Sequence, residues 1–271
     1  MPTPDSTQPD TQSSREKTLA EWSRRVSTRC GAVLVPGYWN SLHENCERWA
    51  REVTVSEFWH EAKQRLPEWA ADFRRQTSGD LVPMPSLPPF VGKQMPRLQS
   101  KAHYDSSQEG QFDIVWPTGG CHVPNLDDLV RTRIECSYLD GVPFLANKLV
   151  ELAKELALSP EQKPRGLIVG YFAQHIYFTH SAYFRFGGRE NPVTITCEIQ
   201  LGTTLAKVIW ESGHRIYEQS RDQPDRPADW QWNPKDPRFL IRQLGHMIHL
   251  ADGILVNLRD VRHEEKEGPP Q

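Results

Sequence analysis

Between about Arg15 and Thr77 apolar positions recur with a period of about 3.6, which predicts at least three helical pieces. The stretch PGYWNSLHENCERWAREV opens on Pro36 and Gly37. The next, SEFWHEAKQRLPEWAADFRRQTSG, offers Ser56 as an N-cap and Phe58, Trp59, Trp69 and Phe73 as buried anchors; Pro67 is expected to break or kink it, and Gly79 to end it. LVPMPSLPPF is rich in proline and reads as an extended connector. In GKQMPRLQSKAHY the cations Lys93, Arg97 and Lys101 are spaced four apart, which in a helix places them on one face. Beyond this point strands and helices alternate. RTRIECSYL is strand-like, VPFLANKLVELAKELAL is an amphipathic helix, and YFAQHIYFTH and VTITCEIQL are two strands joined through FGGRENP as a hairpin. The last element, DPRFLIRQLGHMIHLADGILVNLRDV, starts with Asp236 and Pro237 at N-cap and N1. Leu240, Leu244, Met247, Ala251, Ile254 and Leu258 then follow at spacings of four and three. The expected class is α/β, a mixed, mostly antiparallel sheet flanked by helices.

Composition narrows this picture only a little. A chain of 271 residues can form one large α/β domain or a core with a helical appendage. Its net charge of −3 gives no argument for a nucleic-acid or membrane partner. Five cysteines without C-x-x-C spacing argue against a disulfide framework and a zinc site, and read as reduced thiols of a cytoplasmic protein. MPTPDSTQPDTQSS lacks the blocks of a signal peptide and reads as a disordered leader, and no apolar run has membrane-spanning length. There is no Walker A loop, G-x-G-x-x-G or G-x-S-x-G. His246 and His249 lie i, i+3 without a nearby carboxylate and read as residues of a packed or surface helix.

The informative strand is CEIQL. Cys197, Ile199 and Leu201 share one face, and Glu198 and Gln200 the other. Such a face is ordinarily the solvated side of an antiparallel sheet. Three further segments shift the balance: Asp128 stands just before the strand that carries Arg133, Tyr171 and His175 share a loop and strand, and the three cations precede both.

Taken in order, KQMPRLQSK, DLVRTRI, GYFAQH, EIQLGT and WESGHRIYE resemble the synthetase domain of the RelA/SpoT family. That family runs a basic ATP-binding helix, then D-L-x-G-x-R-I, G-Y-x-x-x-H, E-I-Q-x-R-T and a helix with W and E-x-x-H. The resemblance covers roughly residues 90 to 221 and looks closest to single-domain small alarmone synthetases, and among these to the toxic branch of toxin–antitoxin pairs. Gly202 stands where the family has Arg, Arg131 where it has Gly, and Tyr104 near an expected basic residue; Lys163 and Arg165 lie further ahead of Gly170 than the usual lysine.

The resemblance implies a nucleotidyltransferase-like fold and transfer of the β,γ-pyrophosphate of ATP to a ribose 3′-hydroxyl. It implies Glu198 as the residue that activates the hydroxyl, Gln200 as its orienter, and Asp128 with Glu198 as ligands of Mg²⁺. Lys93, Arg97, Lys101 and Arg133 would bind ATP. Tyr171 would stack on the acceptor base, with His175, Lys163 and Arg165 beside it. His214 would support the site or simply pack beside Trp210 and Tyr217. A guanine nucleotide is the implied acceptor, giving (p)ppGpp-type alarmones. One alternative is the 3′-CCA end of tRNA, anchored by Arg24, Arg25, Arg29, Arg74 and Arg75; another is a catalytically degenerate domain that senses nucleotides or binds a partner. A protein antitoxin and self-association through the C-terminal helix are further implied. The expected segments are a leader (1–14), a helical region with its connector (15–90), a synthetase core (91–235) and a C-terminal helix and tail (236–271).

Overall fold

The computed structural model describes residues 11–30, 36–117, 123–165, 170–208, 211 and 230–267. Helices α1 (Thr11–Cys30), α2 (Pro36–Thr54) and α3 (Glu57–Thr77) come first, then strand β1 (Val91–Gly92), α4 (Met95–Ser107) and the short α5 (Phe112–Val115). Strand β2 (Val130–Cys136), α6 (Gly141–Glu155) and β3 (Glu161–Arg165) follow, then β4 (Ala173–Phe186), β5 (Arg189–Thr203) and α7 (Pro237–Glu267). The strands form one mixed five-stranded sheet in the order β1-β2-β5-β4-β3, the class expected from the sequence. The helical pattern starts at Thr11, four residues inside the segment expected to be a leader.

Two compact units divide the chain. The first comprises the described residues of Met1–Arg51, Val91–Val130 and His180–Cys197; the second those of Glu52–Phe90, Arg131–Thr179 and Glu198–Gln271.

In the first unit, indole packing holds α1, α2 and α4 together. Trp22 stacks on Trp39 with centroids 6.2 Å apart, meets His103 edge-on at 5.1 Å, and donates from Nε1 to Ser106 Oγ at 2.8 Å. Asn45 on α2 uses both ends of its amide on one residue of β4, donating to Arg185 O and accepting from Arg185 N, each at 2.9 Å. β4 and β5 meet in a hairpin of two residues, Gly187 and Gly188, both at positive φ (57° and 76°), the mirror-image turn that fits strand twist.

In the second unit α3 buries Phe58, Trp59, Ala62, Leu66, Trp69 and Phe73, one stripe at spacings of three and four. Ser56 caps it through Trp59 N, as expected. Pro67 neither breaks nor ends the helix. An interior proline costs about 3 kcal/mol, and burial of four large aromatic rings on the same stripe offsets that. The helix ends one residue earlier than expected, with Ser78 rather than Gly79 at positive φ (56°). The proline-rich connector is irregular but anchored: Trp59 Nε1 donates to Pro88 O at 3.1 Å and Thr132 Oγ1 to Pro89 O at 3.0 Å. β3, which pairs antiparallel to β4 from Glu161↔Tyr177 to Arg165↔Ala173, contains Pro164, tolerable because β3 is an edge strand. α7 starts as expected, Asp236 Oδ1 accepting from Arg238 N at 2.8 Å. Its apolar ridge faces outward, however: Leu240, Leu244, Met247, Ile254 and Leu258 are all exposed.

Candidate active site

Glu198 and Gln200 are not a solvated face. Both side chains are buried, because the second half of β5, a central strand, is covered on both sides. Burying a carboxylate is unfavourable unless its oxygens find donors, and here they do. Gln200 Nε2 donates to Glu198 Oε2 at 2.7 Å. Tyr177 Oη donates to Oε1 at 3.1 Å, and His175 Nδ1 lies 2.7 Å from the same oxygen. With Nδ1 donating to the carboxylate, His175 Nε2 accepts from Tyr171 Oη at 3.3 Å. Tyr171, His175 and Glu198 thus form one hydrogen-bonded chain from loop to central strand. Every member comes from the second unit.

Cations border this chain. Arg165 Nη2 donates to Tyr177 Oη at 2.9 Å, and Lys163 Nζ lies 5.5 Å from the Tyr177 ring centroid. Lys163 also pairs with Glu161 at 2.9 Å. Burial pushes the Tyr171 phenol up to about 12; Arg133 opposes the shift and Glu198 adds to it. Arg133 Nη2 is buried and makes no hydrogen bond among the described residues. A Cβ at Gly202 would lie 3.8 Å from that nitrogen, so the Arg133 guanidinium of β2 lies against Gly202.

A second cluster belongs to the first unit. Gly92 lets β1 lie directly on α2, since a Cβ there would come within 2.6 Å of the Cys46 carbonyl carbon. That approach seats Lys93, whose backbone N donates to Leu129 O at 2.9 Å and whose carbonyl lies 3.1 Å from His43 Nδ1. Its buried ammonium pairs with the Asp128 carboxylate. Lys101 lies 3.8 Å from Asp128 and 3.1 Å from Asp105. Burial alone would lower the Lys101 pKa, but Asp128 and Asp105 outweigh it and the shift is upward.

The expected single face of three cations is corrected. Lys93 precedes α4, which begins at Met95 with Gln94 as its N-cap and Pro96 in its first turn. Arg97 sits half-buried on α4. The arginines expected to anchor tRNA are also not a free basic face. Arg74 and Arg75 pair with Asp80 and Asp72, Arg25 lies over the Phe112 ring at 4.2 Å, and Arg24 is exposed. The side chains of Arg29, Trp210, His214 and Tyr217 lie outside the described residues.

No family model matches the chain, and no curated protein matches it. Solved structures do. The small alarmone synthetase 2 of Bacillus subtilis is similar at 15% identity, covering 79% of this chain and 98% of that one with a TM-score of 0.45. A GTP pyrophosphokinase family protein of Streptococcus pneumoniae is similar at 15% identity, covering 81% and 98%, with a TM-score of 0.46. The small alarmone synthetase 1 of Bacillus subtilis, solved with its product pppGpp, is similar at 13% identity, covering 80% and 99%, with a TM-score of 0.44.

Chemically, the first cluster described can hold and receive a proton. Both oxygens of Glu198 are occupied by N–H and O–H donors, an arrangement that suits a positioned base better than a metal ligand. Among the described residues no group of three or more His, Cys, Asp or Glu could hold a metal. Mg²⁺ does not need one, since it is commonly held by one or two carboxylates and the oxygens of a nucleotide. Asp128, a carboxylate set among lysines that themselves suit phosphate, fits that mode. The residue that sequence reasoning missed is Tyr177, which donates to Glu198 and accepts from Arg165. Its signal was present in the sequence: two residues beyond His175, it shares that residue's strand face.

Proposed function

We propose that this chain is an ATP-dependent pyrophosphokinase of the RelA/SpoT type that transfers the β,γ-pyrophosphate of ATP to the ribose 3′-hydroxyl of a guanine nucleotide. The observation that carries the reading is the buried Glu198, held by Gln200, Tyr177 and His175, with Tyr171 at the end of the same chain. Glu198 takes the proton of the 3′-hydroxyl. The freed O3′ attacks the β-phosphorus, the bond from that phosphorus to the bridging oxygen of the α-phosphate breaks, and AMP leaves. Gln200 fixes one carboxylate oxygen while Tyr177 and His175 fix the other, so the base needs little reorganisation. Tyr171 offers its ring to the acceptor base, anchored through its hydroxyl. In the first unit, Lys93 and Lys101 would bind triphosphate oxygens, and Asp128 would hold Mg²⁺ together with those oxygens. The ion, when bound, neutralises phosphate charge.

The test is incubation of the full chain with ATP labelled in the γ-phosphate, Mg²⁺, and in parallel GDP, GTP, ATP or deacylated tRNA. The expected result is label on the guanine nucleotide with release of AMP. Label on tRNA alone would overturn the acceptor assignment, and intact nucleotide binding without AMP release would replace the enzyme by a sensor domain.

Two wider roles belong to the same reading. Unrestrained synthesis of such a product makes a growth-inhibiting toxin that a protein antitoxin must hold in check; harmless overexpression of demonstrably active enzyme would refute it. The exposed ridge Leu240, Leu244, Met247, Ile254 and Leu258, with its spacings of four and three, suits a second copy of α7. Light scattering should therefore show a dimer or larger species that Leu244→Lys with Met247→Lys dissociates, and a monomeric wild type would refute it.

A further inference from the structure

The loop Gly170–Phe172 carries Tyr171, and one stripe of α7 holds it on both sides. Gly170 has φ of +68°, and a Cβ there would lie 2.3 Å from Arg242 O. A Cβ at Gly245 would lie 1.9 Å from Gly170 O. Only two glycines allow backbones to approach this closely. On the other side of Tyr171, the Phe172 ring is stacked on His249 with centroids 3.7 Å apart and planes 4° from parallel, and His246 meets it edge-on at 5.4 Å. One turn further, buried Asp252 accepts from Thr203 Oγ1 at 2.6 Å. Thr203 ends β5, five residues beyond Glu198, and its hydroxyl also accepts from Ala206 N at 3.1 Å.

Arg242, Gly245, His249 and Asp252 follow at spacings of three and four, so they form one stripe of the helix. A helix docked only for stability would bury its apolar ridge. Here the ridge is exposed, and the stripe turned inward carries buried Gly245 and Asp252 with half-buried His246 and His249. Its partners are the two segments that lead from Tyr171 and from Glu198.

We infer that α7 positions the acceptor-binding residue: its Gly245–His249–Asp252 stripe fixes the Gly170–Phe172 loop, and so Tyr171, against the strand that carries Glu198. This rests on the function proposed above for its kinetic consequence, but not for the tie itself. Gly245 and His249 act through Gly170 and Phe172 and are positioning residues.

The experiment uses the full chain as wild type, Gly245→Ala, His249→Ala and His249→Phe. Hydrogen exchange is followed in peptides spanning residues 170–179, with residues 128–136 as control. In parallel, kcat and the separate KM values for ATP and GDP are measured. His249→Ala should speed exchange in 170–179 and leave 128–136 unchanged. A lost stack should raise the GDP KM about three- to tenfold, with the ATP KM and kcat within about twofold of wild type. His249→Phe keeps a flat ring under Phe172 and should restore both readouts; Gly245→Ala should reproduce the His249→Ala pattern more strongly. Unchanged exchange in both disruptive variants, or equal rises in the two KM values, would overturn the inference. A wild type that turns over no acceptor would count against the proposed function alone, since exchange still decides whether α7 holds the loop.

Discussion

Glu198→Gln isolates the charge of the proposed base from its shape. The carboxylate accepts on Oε1 from Tyr177 and His175 and on Oε2 from Gln200. In the variant the amide oxygen can keep the Tyr177 and His175 side, which turns the new NH₂ toward the NH₂ of Gln200. Two facing donors in a buried site cost about 1–3 kcal/mol. Rotation of the Gln200 amide by half a turn offers its oxygen instead and removes most of that cost. The fold should therefore survive, with a melting temperature within about 2–4 °C of wild type if as much as 1 kcal/mol is lost. Turnover should fall by at least about a hundredfold, the lower end for a lost general base, equivalent to about 2.7 kcal/mol of barrier. AMP release in the presence of GDP gives the rate, thermal melting reports the fold, and titration with a non-hydrolysable ATP analogue reports donor binding, expected within about threefold of wild type. Turnover within about threefold of wild type in a folded variant would refute the assignment of Glu198 as base.

The Lys93–Asp128 pair is buried, so Lys93→Met should destabilise the chain by about 3 kcal/mol in denaturant titration, with Lys101 retaining part of the compensation. The double variant with Asp128→Asn should recover much of that loss, and full additivity would refute a coupled pair. Burial raises the Asp252 pKa above its usual 3.8, so the folded state holds this proton more tightly and stability is lost as pH rises from 3.8 through the folded value. Burial lowers His249 below 6.5, so its contribution is present above 6.5 and lost as pH falls through the folded value. Asp252→Asn removes the first slope: the melting temperature of the variant relative to wild type should rise as pH climbs above 3.8, and a constant difference would refute the shift. Burial pushes the thiols of Cys46 and Cys136 up to about 12, and Cys197 upward as well. None of the three should be alkylated by iodoacetamide at about pH 8 before unfolding, as peptide mass mapping would show.

What the sequence makes legible here is local. The Ser56 cap, the Asp236–Pro237 start and the two-glycine hairpin each depend on a few adjacent residues, and each is found where the pattern places it. The Glu198 and Gln200 face was also legible, although periodicity alone gives only alternation; that both residues are buried follows from the central place of β5. Failures occur where distant packing decides. Pro67 stays inside α3 because the aromatic stripe outweighs a missing hydrogen bond. β3 has no alternation to reveal it, and it exists because β4 offers an edge. Lys93 leaves the helix face because Gly92 draws β1 onto α2, and no spacing rule encodes that approach.

The C-terminal helix shows the limit most sharply. Its apolar positions share a stripe, as their spacing requires, and the ordinary inference is that this stripe faces the protein. Period identifies which residues lie together on a helix, but which side turns inward depends on the surface that receives it. That surface is a loop backbone at Gly170, the ring of Phe172 and the hydroxyl of Thr203, and none of these favours leucine. Gly245 admits the carbonyl, His249 stacks on the ring and Asp252 accepts the hydroxyl, while the leucines are left for another surface. A helix that turns a polar, closely fitted stripe toward the Gly170–Phe172 loop and an apolar ridge toward solvent joins that loop to whatever covers the ridge. Self-association through α7 and acceptor affinity should therefore be coupled, and the Leu244→Lys, Met247→Lys pair should shift the GDP KM as well as the oligomeric state.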